Sequence, residues 1–388
     1  MKRLFSFVIS LLFLAVPLCV HAQSPLHSTV MTLKDNVTID LKSQSACLME
    51  AETGEIIYEK SATEHLEPAS VTKIMTVLLI YEALADGRIA KTDIVTAGET
   101  AANMGGSQIW LEPSEQMSVD EMLKAILVVS ANDCTVAMAE HLAGSEDAFV
   151  VLMNERAKKL GMNDTNFVNS TGLPAENHYT CAKDIALMTR ELLKHDDVFN
   201  YTMIWLDSLR NGEFGLSNTN KLIRFYPGAN GMKTGFTDSA GYCMSATATR
   251  DGMTLISVVM KADTSDNRFS DAKKLLDYGF ANFTVYRIAK GDLPALSVKG
   301  GTVDKVALNC SEKSLLLTKG RDQLVESVTE LPEYLQAPVS EGQVVGHIRY
   351  NLCGEEIAVI DVTAVNGVRR MAFSDIFKKL LGTTVMIR

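Results

Sequence analysis

The chain has 388 residues, 47% hydrophobic and 22% charged, with no low-complexity tract. Such a composition describes a soluble globular protein, long enough for two or three domains and a large core. Its 47 acidic against 37 basic residues, a net charge of -10, argue against nucleic acid as a partner.

The first residues read as a secretory signal. Lys2 and Arg3 precede an apolar run over 4–16, and Val20-His21-Ala22 supplies a small-residue cleavage site. The run is short for a membrane span. The mature chain is expected to begin near Gln23 and to work outside the cytoplasm. Cys19 leaves with the signal, and the other six cysteines show no close pair of metal-ligand type, so no metal and no cofactor are expected. Cys134, Cys181 and Cys243 sit in apolar segments as small core residues, while pairing of Cys310 with Cys353 stays open.

Two strand-like runs, 45–49 and 56–58, flank Glu52-Thr53-Gly54-Glu55 as a hairpin. Pro68-Ala69-Ser70-Val71-Thr72-Lys73 then runs into an apolar helix over 74–80 that ends near Asp86-Gly87, with Ser70 in its first turn. After a loop-rich stretch, Ser118 caps a helix over 119–129, with Asp120 and Glu121 in its first turn. A break at Ser130-Ala131-Asn132 precedes helical runs over 134–142 and 146–160, the second ended by Gly161. Residues 163–177 are turn-rich, and Thr180 opens a helix carrying Asp184 and Leu187. Strand character returns over 232–236, 241–249 and 253–259, followed by a helix over 268–280. This order predicts an α+β domain: one antiparallel sheet made from both ends of the segment, with the helices packed against it. Residues 282–368 alternate like a small all-β domain, and 373–381 return to helical spacing.

Three motifs carry chemistry. Ser70 and Lys73 lie three apart on one helix face, and burial disfavours the charged form of a lysine. A neutral amine can take the proton of a serine that is otherwise a poor nucleophile. The spelling alone is weak, since Ser270-Asp271-Ala272-Lys273 repeats it. Ser130-Ala131-Asn132 occupies the break between two helices, where a polar turn points side chains into a cleft; Ser265-Asp266-Asn267 shares its spelling. Lys233-Thr234-Gly235 occurs once, on a strand, and its glycine lets a ligand lie close along the backbone. In this order and context, the motifs are the set shared by class A β-lactamases and penicillin-binding proteins.

The chain resembles a low-molecular-mass penicillin-binding protein of the D-alanyl-D-alanine carboxypeptidase family. The resemblance runs from about Ser45 to the C-terminus, on Glu67-Pro68-Ala69-Ser70-Val71-Thr72-Lys73, Ser130-Ala131-Asn132-Asp133, residues 230–237 and residues 273–280. It implies a signal peptide (1–22), a β-lactamase/transpeptidase-like peptidase domain (23–281), a small β-sandwich-like domain (282–368) and an amphipathic tail (369–388) resting on the outer face of the cytoplasmic membrane. It also implies a serine-type carboxypeptidase acting on peptidoglycan stem peptides that end in D-Ala-D-Ala, with β-lactams as covalent inhibitors. Ser70 is then the nucleophile, Lys73 its base and Ser130 the proton relay. Asn132 holds the substrate amide, and the N–H groups of Ser70 and Phe236 form the oxyanion hole beside Gly235. Lys233 keeps the site positive, while Thr234 and Arg268 bind the terminal carboxylate. Some members have histidine where this chain has Phe236. Rival readings are a DD-endopeptidase, a non-catalytic peptidoglycan-binding protein, and a class A β-lactamase. The last needs a deacylating glutamate, and residues 160–174 contain none.

Overall fold

A computed structural model describes residues 37–289, 291 and 293–377. The signal expected over 1–22 and the tail beyond residue 377 lie outside the described residues. A five-stranded antiparallel sheet runs through the first lobe in the order β2-β1-β9-β8-β7. The hairpin β1 (Ser45–Glu50) and β2 (Ile56–Lys60) joins β7 (Ala229–Thr237), β8 (Gly241–Arg250) and β9 (Met253–Ala262) through β1 against β9. Both ends of the segment therefore build one sheet, as the element order predicts.

Side chains alternate across a strand, and here both faces are apolar. Cys47 and Met49 on β1, with Ile256, Val258 and Met260 on β9, enter the large core beneath the helical lobe. Ala46 and Leu48, with Leu255 and Val259, pack instead on Leu275, Leu276 and Phe280 of the long C-terminal helix of this lobe. The buried helix α1 (Lys73–Ala85) is apolar nearly all round, as a helix enclosed by protein must be. Short elements follow it: β3 (Ile94–Thr96), α2 (Glu99–Ala102) and β4 (Gln116–Ser118). Helix α3 (Val119–Val128) opens on a reciprocal capping box between Ser118 and Glu121, a device of about 1 kcal/mol. Next come α4 (Asn132–Ala143), α5 (Glu146–Lys159), α6 (Ala182–Leu192) and α7 (Phe199–Thr202). A small hairpin, β5 (Leu206–Leu209) and β6 (Phe214–Ser217), and α8 (Leu222–Phe225) lead into β7.

Helix α9 (Ser265–Asn282) starts three residues before the sequence pattern suggests, because Thr264 caps it. The decoy triplet Ser265-Asp266-Asn267 is thus an ordinary helix start, and the decoy Ser270 is exposed to solvent.

Beyond α9 the described chain is mainly β-structure. A two-stranded sheet pairs β10 (Phe283–Ile288) with β13 (Lys313–Thr318). Strands β11 (Leu293–Lys299), β12 (Lys305–Cys310), β14 (Val325–Glu330), β15 (Tyr334–Gln336), β16 (Val344–Leu352) and β17 (Glu355–Ala364) form a six-stranded sheet in the order β14-β16-β17-β12-β11-β15. Arg287 on β10 docks this lobe on the first. Its Nε donates to Glu52 at 2.9 Å and its Nη2 to the Gly252 carbonyl at 2.6 Å. Cys310 is buried while Cys353 is exposed, and the two do not pair. Residues 373–377 form a helical turn.

Candidate active site

The first turn before α1, Ala69–Thr72, is a 3₁₀ helix. In that tighter coil residues three apart eclipse, which sets Lys73 directly over Ser70. Lys73 Nζ lies 2.9 Å from Ser70 Oγ. Two carbonyl oxygens also accept from the amine, Asn132 Oδ1 at 2.6 Å and Thr171 O at 2.8 Å. Lys73 is fully buried, and desolvation, helped by the nearby Lys233 charge, holds it well below the ordinary lysine range against the pull of Asp133. A neutral amine has two N–H groups and one lone pair. The two carbonyls take the N–H groups, so the lone pair is left facing the Ser70 hydroxyl.

Ser130 adopts a left-handed backbone, φ 66°, which separates α3 from α4 and turns its hydroxyl toward β7. Lys233 Nζ donates to Ser130 Oγ at 2.9 Å and to its neighbouring Thr234 carbonyl at 2.8 Å. Burial, together with the Arg268 charge, brings Lys233 down to about 7. Arg268 is buried too, and desolvation lowers it to about 10. Its Nη1 donates to the Gly235 carbonyl at 3.2 Å, while its Nε has no partner. Among the described residues neither side chain is ion-paired, and two such buried basic groups make a site that favours an anion. Thr234 Oγ1 donates to Thr219 Oγ1 at 2.8 Å on the same side.

β7 is an edge strand, so one row of its backbone groups is not used by the sheet. The strand passes so close to the serine turn that a Cβ on Gly235 would stand 2.9 Å from both Pro68 O and Ser70 N. Only glycine allows that approach, which sets the Ser70 N–H beside the strand that carries Phe236. The Phe236 side chain is about half exposed and lies against Tyr242, ring centroids 4.3 Å apart.

The sequence motifs thus converge on one cleft, but several contributors carry no motif. Asp133, fully buried, accepts from the N–H groups of Ile109 and Leu111 at 3.0 and 3.1 Å. Its neighbour Asn132 donates through Nδ2 to the Gly105 carbonyl at 2.7 Å, so its amide bridges Lys73 to the 105–111 loop. Arg210 Nη1 holds the same loop at the Ile109 carbonyl at 2.8 Å. Thr171 acts through its carbonyl, which any residue type supplies, so only the turn-rich composition of 163–177 hinted at it. Gly172 is obligatory there: its φ is +86° and a Cβ would meet the Ala69 carbonyl at 1.8 Å.

Asp164, Cys181 and Asp184 are the one group of possible metal ligands among the described residues. Their lone pairs are engaged internally, Asp184 Oδ2 by Asp164 N–H and Thr165 Oγ1, and Cys181 Sγ by Asp184 N–H. Burial pushes the Cys181 thiol up to about 12, which keeps it a protonated helix cap.

A serine and a dry lysine at a helix start, facing a cationic edge strand in an α+β frame, define the serine-type penicillin-binding class. Comparison with known proteins narrows this. Residues 30–264 match the D-alanyl-D-alanine carboxypeptidase family, and residues 283–370 match the C-terminal domain of penicillin-binding protein 5. The chain is 41% identical over 348 residues to D-alanyl-D-alanine carboxypeptidase DacF of Bacillus subtilis (strain 168), covering 88% of this chain and 90% of that protein. Penicillin-binding protein 5 from Haemophilus influenzae superposes with a TM-score of 0.76 at 32% identity, over 86% of this chain and 100% of that one. The ampicillin-bound form of penicillin-binding protein D2 from Listeria monocytogenes superposes at 0.58 and 32% identity, over 63% of this chain and 100% of that one. The chain belongs to the D-alanyl-D-alanine carboxypeptidase family.

Proposed function

We propose that the protein is a serine-type D-Ala-D-Ala carboxypeptidase that trims the terminal D-alanine from peptidoglycan stem peptides through an acyl-enzyme on Ser70. Ser70 Oγ attacks the carbonyl carbon of the penultimate D-alanine while its proton passes to the lone pair of Lys73. The N–H groups of Ser70 and Phe236 receive the developing oxyanion, usually the largest single source of stabilisation in acyl transfer. As the C–N bond breaks, the proton travels through Ser130 to the leaving amine, which departs as D-alanine. Lys73 is then neutral again; it takes a proton from the water that attacks the ester and returns it to Ser70 Oγ as the acyl C–O bond breaks, releasing the shortened peptide as its acid. Asn132 orients Lys73 and the substrate amide, and Lys233, Thr234 and Arg268 hold the terminal carboxylate.

The observation that carries this reading is the place of Lys73 Nζ, buried, 2.9 Å from Ser70 Oγ and held by the Asn132 and Thr171 carbonyls, which leaves the lone pair of a neutral amine for Ser70. A β-lactam mimics the D-Ala-D-Ala end and acylates the same serine. No glutamate occurs in residues 160–174, and Glu146, reaching that loop from α5, is taken up by the N–H and Oγ of Ser170 at 2.9 and 2.6 Å. The acyl-enzyme formed with penicillin is therefore long-lived.

The expected localisation is the outer face of the cytoplasmic membrane. Phe373, Ile376 and Phe377, at the start of the tail, are all exposed, Phe373 at 84%. That leaves an apolar face for the acyl-chain boundary of a bilayer.

Fluorescent penicillin and a D-alanine release assay test the site. Ser70→Ala should abolish both signals, and Ser270→Ala should leave both intact. Labelling that survives the loss of Ser70, or rapid sustained hydrolysis of benzylpenicillin, would overturn the reading.

A further inference from the structure

His178 lies in no motif, yet it is buried beneath the catalytic turn. Its ring connects two parts of the chain. Nδ1 accepts from the Val168 N–H at 3.0 Å, so that nitrogen carries no proton. A neutral imidazole then has its proton on Nε2, which faces Thr72 Oγ1 at 3.0 Å and donates to it. Thr72 immediately precedes Lys73. Val168 belongs to the turn-rich segment that ends by presenting the Thr171 carbonyl to Lys73 Nζ. Thr72 Oγ1 also borders Gly172, where an added Cβ would approach it to 2.8 Å. One ring thus fastens the base-bearing turn to the segment that orients the base.

The rest of that segment is held from elsewhere. Asn154 takes both backbone groups of Phe167, Glu146 takes Ser170, and Thr76 Oγ1 donates to the Ser170 carbonyl at 2.7 Å. These contacts hold its other residues, and Lys73 itself reaches the Thr171 carbonyl; His178 adds the side-chain bond to Thr72, the residue immediately before Lys73.

We propose that His178 is a positioning residue for acylation: by bridging Thr72 to Val168 it keeps the Thr171 carbonyl on Lys73 and keeps water away from that amine. The inference rests on the Ser70–Lys73 chemistry given above and adds a residue to it. With the bridge gone, the segment lifts, water reaches Nζ, and the amine returns toward its ordinary basicity. The charged groups facing Lys73 stay as they were: Lys233 from β7, with Arg268 behind it, and Asp133 from α4. Facing His178 itself is the ring of Phe167, with centroids 5.9 Å apart, and burial keeps the imidazole neutral at physiological pH.

The test is the pH dependence of the rate at which penicillin acylates the full chain. His178→Ala removes both bonds, His178→Gln keeps a donor near the Nε2 position, and Thr72→Val removes the acceptor while leaving the ring. Melting curves establish that each variant is folded, and Thr72→Val reads the same bridge should the histidine variants not fold. The ascending limb of the rate, which follows deprotonation of Lys73, should move up by about one pH unit or more. Acylation below the limb should then fall about tenfold per unit and approach the wild-type rate at alkaline pH, with His178→Gln between wild type and His178→Ala. A loss equal at every pH, or an unmoved limb in folded variants, would reduce His178 to a packing residue. Absence of Ser70 labelling in the unmodified chain would instead sink the catalytic reading itself, so the two failures are distinguishable.

Discussion

Arg268 shows how a single residue changes meaning between sequence and fold. An arginine near the start of a helix is ordinarily a surface group, and nothing in its neighbours says otherwise. Here it is 6% exposed, held by the carbonyls of Gly235 and Cys243, with its Nε unpartnered; burial lowers its own basicity, and its charge adds to the burial that lowers Lys233. Removing one member of such a buried cationic pair relieves repulsion but also removes the planar fork that grips a carboxylate. Arg268→Ala should therefore lower kcat/KM on a peptide with a free C-terminal carboxylate by about 100-fold, the loss of a charged hydrogen-bonded contact of roughly 3 kcal/mol. An amidated analogue should lose far less. Equal losses on the two substrates would make Arg268 a structural residue.

At the scale of elements, the turn-rich segment 163–178 decides more than any helix. Each end is secured by side chains: Asp184 at Asp164 and Thr165, His178 at Val168 and Thr72. Burial depresses His178 to about 4 in the folded chain, against about 6.5 when unfolded. The folded state thus prefers the neutral ring. Its contribution is complete above about pH 6.5 and is lost as pH falls from there toward 4, where it has cost about 3 kcal/mol. Chemical denaturation at pH 7.5 and at pH 4.5 should show this loss in the wild type, and His178→Gln should lack that component. A variant as acid-sensitive as wild type would assign the effect to other groups.

For the whole molecule, the β-structured lobe is docked through Arg287 and Ser314 on Glu52, at the hairpin turn remote in sequence from either residue. The lobe ends in exposed apolar residues: Phe373 and Phe377 have nothing in the described structure covering them, while Arg369 is paired with Asp375 at 2.6 Å. An amphipathic segment gains from lying among acyl chains with lysines near anionic headgroups, each worth about 1 kcal/mol. A chain ending at Val368 should keep full penicillin labelling and D-alanine release yet move from the membrane to the soluble fraction. Unchanged partition, with the signal verified as cleaved, would remove the anchor.

The motifs, their order and the element types were legible in the sequence because they are local. Three-residue spacing puts Ser70 under Lys73, alternation marks the strands, and Ser118 with its acidic followers announces α3. The α+β architecture followed from strands at both ends of a helical segment. What the tertiary structure alone decided are the contacts that cross the chain. The Thr171 carbonyl on Lys73, Asp133 on the 105–111 loop, Arg210 beneath it and the His178 bridge depend on backbone groups or on residues whose types recur throughout the sequence. The same holds for the decoys: Ser270 and Lys273 have the right spacing, but the α9 face that carries Ser270 is open to water. Spacing along one helix is a property of the local chain, whereas the dryness that turns a lysine into a base is supplied by elements about a hundred residues away.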